Sequence, residues 1–156
     1  MYKVFCVIAG VLLFLPLWAL GQPSPNSAAG KLAALKGKSR PLLIFYPQGP
    51  GERPLVPALS RQRALLDGHE TELRERDVVL MYVPYLPDFE SVAPSMWTGL
   101  RRQFQVDDRR FTVVLLGKDG GEKLRTHVPV TIEKLDALID AMPMRQQEMR
   151  DGHHTE

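Results

Sequence analysis

Phe111-Thr112-Val113-Val114-Leu115-Leu116-Gly117-Lys118-Asp119-Gly120-Gly121-Glu122-Lys123-Leu124-Arg125 is the stretch that decides the fold. Six residues without a charge, mostly β-branched or large and apolar, read as a strand buried on both faces. Asp-Gly and Gly-Gly then supply the positive φ that a tight reversal needs, so the chain turns at 117–121 and returns as a second strand over Glu122–Val128. An antiparallel hairpin therefore sits late in the chain.

Upstream, Pro41-Leu42-Leu43-Ile44-Phe45-Tyr46 and Val78-Val79-Leu80-Met81-Tyr82-Val83 are two more uninterrupted apolar runs of strand length. The interval between them is helical from Pro57 to Arg76, with Leu59, Leu66 and Leu73 at seven-residue spacing and Leu65 beside them. Strand, helix, strand with a crossover of this length makes a parallel pair. Trp97, Leu100 and Phe104 form the apolar stripe of a second, shorter helix, with Arg101 and Arg102 expected to face elsewhere. Downstream of the hairpin, Thr131 is placed as N-cap of a third helix carrying Ile132, Leu135, Leu138, Ile139 and Met142 on one face, and Pro143 ends or kinks it.

The resulting order, β-α-β-α-β-β-α, is that of the thioredoxin fold. It predicts an α/β domain with a four-stranded mixed sheet in the order 2-1-3-4 and three helices, the first and third on one face and the second on the other. The predicted organisation is a leader at 1–21, a basic Pro/Ser/Ala-rich linker at 22–40, the domain at 41–150 and a disordered tail at 151–156.

Met1-Tyr2-Lys3 is a short basic start, Val4 to Leu17 an apolar core, and Ala19-Leu20-Gly21 puts small residues where a signal peptidase reads, so cleavage is expected after Gly21 and the protein is expected in the periplasm or outside the cell. An uncleaved leader would instead anchor it to the membrane. Of 156 residues, about 135 then remain, enough to bury roughly two-thirds of the unfolded surface without a disulfide or metal. Composition is that of a globular domain, with 44% hydrophobic and 24% charged residues. Loss of Lys3 leaves 19 basic against 18 acidic side chains, a balance that argues against a nucleic-acid partner. Cys6, the single cysteine, lies in the leader, so the mature chain has no thiolate for disulfide exchange or peroxide reduction.

Gly117-Lys118-Asp119-Gly120-Gly121-Glu122-Lys123-Leu124-Arg125, with Asp140-Ala141-Met142-Pro143-Met144-Arg145-Gln146-Gln147-Glu148-Met149, resembles the two recurring signatures of an uncharacterised thioredoxin-like secreted domain family, domain of unknown function 4174. That family is shared with animal extracellular proteins of the sushi-repeat-containing and coiled-coil-domain-containing groups. The resemblance spans about Ser39 to Arg150 and implies a redox-inactive thioredoxin-like fold outside the cytoplasm. It carries over no catalytic residue.

In a thioredoxin-like enzyme the reactive cysteines follow the first strand. Here that loop is Gln48-Gly49-Pro50-Gly51-Glu52-Arg53, which holds no nucleophile, and Asp108-Arg109-Arg110 stands where a proline would precede the third strand. His69 lacks a second histidine four residues on, and no phosphate loop or nucleophile elbow occurs, so no catalytic residue, metal or cofactor is expected. Two surfaces remain. Arg101, Arg102, Arg109, Arg110, Lys118, Lys123 and Arg125 would converge at one sheet edge as a patch for a protein or an anionic polymer of the envelope, although edge lysines also serve to block strand pairing. Gln48, Gly49, Glu52 and Arg53 are the candidate ligand loop if the protein is instead a non-thiol enzyme or small-ligand carrier. Met142-Pro143-Met144 reads either as a docking strip or as helix-end packing.

Overall fold

The computed structural model describes residues 27–47, 57–85 and 96–152. The expected leader and the expected ligand loop with Gln48, Gly49, Glu52 and Arg53 lie outside these, as do residues 86–95. Four strands, β1 (Arg40–Pro47), β2 (Val78–Tyr85), β3 (Thr112–Leu116) and β4 (Glu122–Thr126), form one sheet in the order β2-β1-β3-β4. β1 runs parallel to β2 in unbroken register from Arg40↔Val78 to Pro47↔Tyr85, and antiparallel to β3. β3 and β4 pair antiparallel with an irregularity at Leu115/Leu116. The expected strand order is the observed one, because the apolar runs that nucleate β1 and β3 are the two that the sheet covers on both faces.

Six helices occur among the described residues rather than three: α1 (Ala28–Leu35), α2 (Pro57–Leu66), α3 (Glu70–Glu75), α4 (Met96–Gln103), α5 (Ile132–Asp140) and α6 (Pro143–Gly152). The helix expected over 57–76 is broken at Gly68, whose φ of +80° only glycine adopts without strain. The leucine spacing survives the break, so Leu59, Leu66 and Leu73 all reach the core. In the segment expected as linker, the Ser27 Oγ accepts from the Gly30 N–H at 3.0 Å and starts α1. Pro143 ends α5 and, at the first position of the next helix where its missing N–H costs nothing, begins α6.

Two apolar layers flank the sheet. Leu42, Ile44, Val113 and Leu115 pack with α2, α3 and α5 through Leu59, Leu66, Leu73, Leu135 and Ile139. On the opposite face Leu43, Phe45, Val114 and Leu116 pack with Leu100 of α4, and Leu32 of α1 joins them. The first and third expected helical segments thus share one face and the second takes the other. Gln62, fully buried on α2, spans to the segment before α5: its Nε2 donates to Val130 O at 2.9 Å and its Oε1 accepts from Val130 N at 2.8 Å. That side chain does what a strand partner would do for an isolated residue.

Candidate functional site

The 117–121 turn is closed by Gly117 N donating to Gly121 O (2.8 Å) and Gly120 N to Gly117 O (2.9 Å), with Gly120 at φ +82°. Asp119 accepts from the Gly121 N–H at 3.1 Å and from Lys123 Nζ at 2.7 Å. This pair lies across Gly117, where a Cβ would come within 2.5 Å of both Asp119 Oδ1 and Lys123 Cε. A side chain at 117 would push these two side-chain ends aside.

Lys118 points the other way, into an ionic cluster, and only 11% of its side chain is exposed. Its Nζ lies 2.8 Å from Asp77 and 2.7 Å from Glu148 of α6. Arg40, 1% exposed at the start of β1, directs Nη2 at both Glu148 oxygens (3.0 and 3.2 Å) and Nη1 at Arg76 O (2.9 Å). Burial works against the Lys118 ammonium, but its bonds to Asp77 and Glu148 prevail and raise its pKa. For Glu148, burial is likewise outweighed by the Lys118 and Arg40 bonds, which hold it below the usual carboxylate range. Beside this cluster Arg76 grips Asp140 at 3.1 and 2.7 Å. Asp136 Oδ1 comes within 3.2 Å of the same Nε, whose N–H is committed to Asp140, and burial raises the Asp136 pKa.

Between the hairpin and the α5–α6 junction lies a groove of about 450 Å³. Leu138, Met142, Pro143 and Met144 supply an apolar wall, and Arg40, Lys118, Lys123 and Asp119 are the charged residues of the lining. Met142 is buried, whereas Met144 is 47% exposed. Helix-end packing accounts for Met142, and Met144 stands at the rim of the groove. The two signature segments, 117–125 and 140–149, build the groove together.

The cations expected at one patch do not stay together. Lys118 and Lys123 line the groove, while Arg102 is exposed on α4. Arg125 holds Glu122 at 2.6 and 2.9 Å and donates to Phe104 O at 3.0 Å, tying β4 to the end of α4. Arg101, expected to face away from the α4 stripe, is 3% exposed. Its guanidinium donates to Tyr46 O (2.8 Å), Val83 O (3.3 Å) and Asp107 O (3.3 Å), with Phe45 and Tyr85 rings 5.7 and 5.5 Å away. The correction has a physical reason: residue 101 is one helical turn after Trp97, on the buried side, and the C-terminal carbonyls of the parallel pair β1 and β2 need donors there. Sequence reading also passed over Arg40, Asp77 and Glu148. The visible signal was an arginine directly before an apolar strand, a costly position unless it is paired.

A mixed sheet in this order, with helices on both faces, defines a thioredoxin-like α/β domain. The chain is similar in structure to Plasmodium yoelii Prx1a (TM-score 0.53, 19% identity, covering 74% of this chain and 80% of that one). It is also similar to Plasmodium vivax 2-Cys peroxiredoxin (TM-score 0.52, 17% identity, 76% and 84%). StoA from Bacillus subtilis aligns at TM-score 0.46 and 14% identity over 66% and 83% of the two chains. At these identities the likeness is one of fold. No curated protein matches the chain. The profile of the domain of unknown function DUF4174 matches residues 31–148, and the chain belongs to that family.

Proposed function

We propose that this protein is an exported, redox-inactive thioredoxin-like binding module of the bacterial envelope or its surroundings, working by surface contact with a protein or an anionic polymer. The observation that carries this reading is the groove between the hairpin and α6, in which an apolar wall of Leu138, Met142 and the half-exposed Met144 shares the lining with Lys123, a third exposed and paired with Asp119. Such a combination suits a partner that brings an apolar group with a negative charge beside it. The leader supports export, and Cys6, the single cysteine, lies within it, which speaks against thiol chemistry in the exported form.

The test is site-specific photo-crosslinking in the native host, with the crosslinker at Met144, at Lys123 or, as a control, at exposed Arg102. The expected result is one reproducible adduct from the two groove positions, lost when Lys123→Glu is combined with the Met144 probe, and absent from position 102. Equal adducts from all three positions, or none, would overturn the reading. In that case a metabolite thermal-shift screen would examine the Gln48–Arg53 loop as a small-ligand site.

A further inference from the structure

The two edges of the sheet are built differently. β4 is five residues long, carries Lys123 and Arg125, and pairs through the irregularity at Leu115/Leu116, all features that discourage a further strand. β2 has none of these. It is eight residues long, Val78-Val79-Leu80-Met81-Tyr82-Val83-Pro84-Tyr85, without a charged side chain, and it pairs with β1 in unbroken register. Among the described residues β1 is its one strand neighbour, and seven of its eight residues are only half-buried. By contrast all five residues of β3, with a similar apolar sequence, are buried. The sequence of β2 from Val78 to Val83 is therefore that of a central strand placed at an edge, with Pro84, which has no N–H to offer a further strand, confined to its C-terminal end.

The occupant that completes such an edge must be a strand that is apolar on both faces, because β2 itself sends Leu80 and Tyr82 to one core layer and Met81 and Val83 to the other. β2 of another copy meets this requirement. We propose that β2 pairs antiparallel with β2 of a second copy of this chain about a two-fold axis perpendicular to the sheet, forming one continuous eight-stranded sheet. Such an axis keeps each sheet face on its own side, so the residues opposed across it have numbers with an even sum. With the axis at Met81, Met81 meets Met81, Leu80 meets Tyr82 and Val79 meets Val83. With the axis at Tyr82, Met81 meets Val83 and Tyr82 meets Tyr82. In both registers apolar side chains oppose apolar ones, and no like charges face each other.

The test uses the exported chain recovered from its host in a Cys6→Ser background. Light scattering coupled to gel filtration should give the mass of two chains, and Val79→Lys should reduce it to that of one. Val79 is half-buried and a member of neither core cluster, and a cooperative thermal unfolding of the variant shows that its protomer is folded. An independent readout needs no change of charge. Residues opposed across an antiparallel pair have Cα atoms about 4.5–5.5 Å apart, within disulfide reach. Met81→Cys or Tyr82→Cys, whichever lies at the axis, should therefore crosslink two chains on mild oxidation, while Arg125→Cys on the other edge should not. A single-chain mass at about 100 µM, or a double mass without a crosslink from either 81 or 82, would overturn the proposal.

Discussion

Replacing Glu148 by glutamine tests whether α6 is held to the body of the domain by a carboxylate rather than by apolar packing. No residue of α6 with a described side chain is fully buried. Its links to the body run through Glu148, bonded to Arg40 and Lys118, and through Arg145, whose Nε lies 3.3 Å from Asp140. Glu148→Gln keeps the shape but removes the charge from between two cations, one of which, Arg40, is 1% exposed. Hydrogen bonds to charged groups contribute about 1.5–3 kcal/mol each, and Glu148 keeps 28% of its surface in solvent, so a net loss of about 2 kcal/mol is expected. In a domain of this size that lowers Tm by roughly 8 °C. The pH dependence gives a second, sharper check. Glu148 has a folded pKa below its unfolded value of about 4.3, so its contribution is present above that value and lost as the pH falls through the folded pKa. Urea titrations of the wild type and Glu148→Gln should differ at pH 7 and converge as the solution is acidified below about pH 4. A difference under about 0.5 kcal/mol at pH 7, or one that persists unchanged at low pH, would refute the carboxylate account of α6 docking.

Arg101→Lys should cost about 3 kcal/mol in urea unfolding, because one ammonium cannot reach carbonyls of β1, β2 and the 104–111 loop together; a loss under 1 kcal/mol would contradict the capping role. Gln62→Ala leaves the Val130 N–H and C=O buried without partners and should destabilise by about 3 kcal/mol, with amide exchange at Val130 accelerated ahead of the rest of the segment. Gly120→Ala meets only the Lys36 side chain, 3.7 Å from the new Cβ, so its cost should be that of the positive φ alone, about 1 kcal/mol by thermal unfolding, with the groove unchanged.

What could be read from the sequence, and what could not, divides by the physics of each contact. Strand order and the assignment of helices to faces follow from continuous apolar runs and a 3.6-residue stripe, because burial of apolar surface is non-directional and leaves a periodic trace. The break at Gly68 left no such trace, since Leu66 and Leu73 keep their spacing on both sides of it. α6 was not legible as a helix because what docks it is a carboxylate meeting two cations from other elements, and such a match has no period. The same holds for the candidate site: Lys118 and Lys123 stood out as charges, but nothing local distinguishes Lys118, committed to Asp77 and Glu148, from Arg102, which is exposed. Arg101 shows what would have distinguished them. A cation one turn from an aromatic anchor, on a helix that crosses the C-terminal ends of two parallel strands, faces their last carbonyls. Its burial follows from topology once the sheet order is known. Charge clusters in folds of this kind therefore have to be assigned after the strand order, which separates Lys118 and Lys123, each held by a carboxylate, from Arg102, which is exposed.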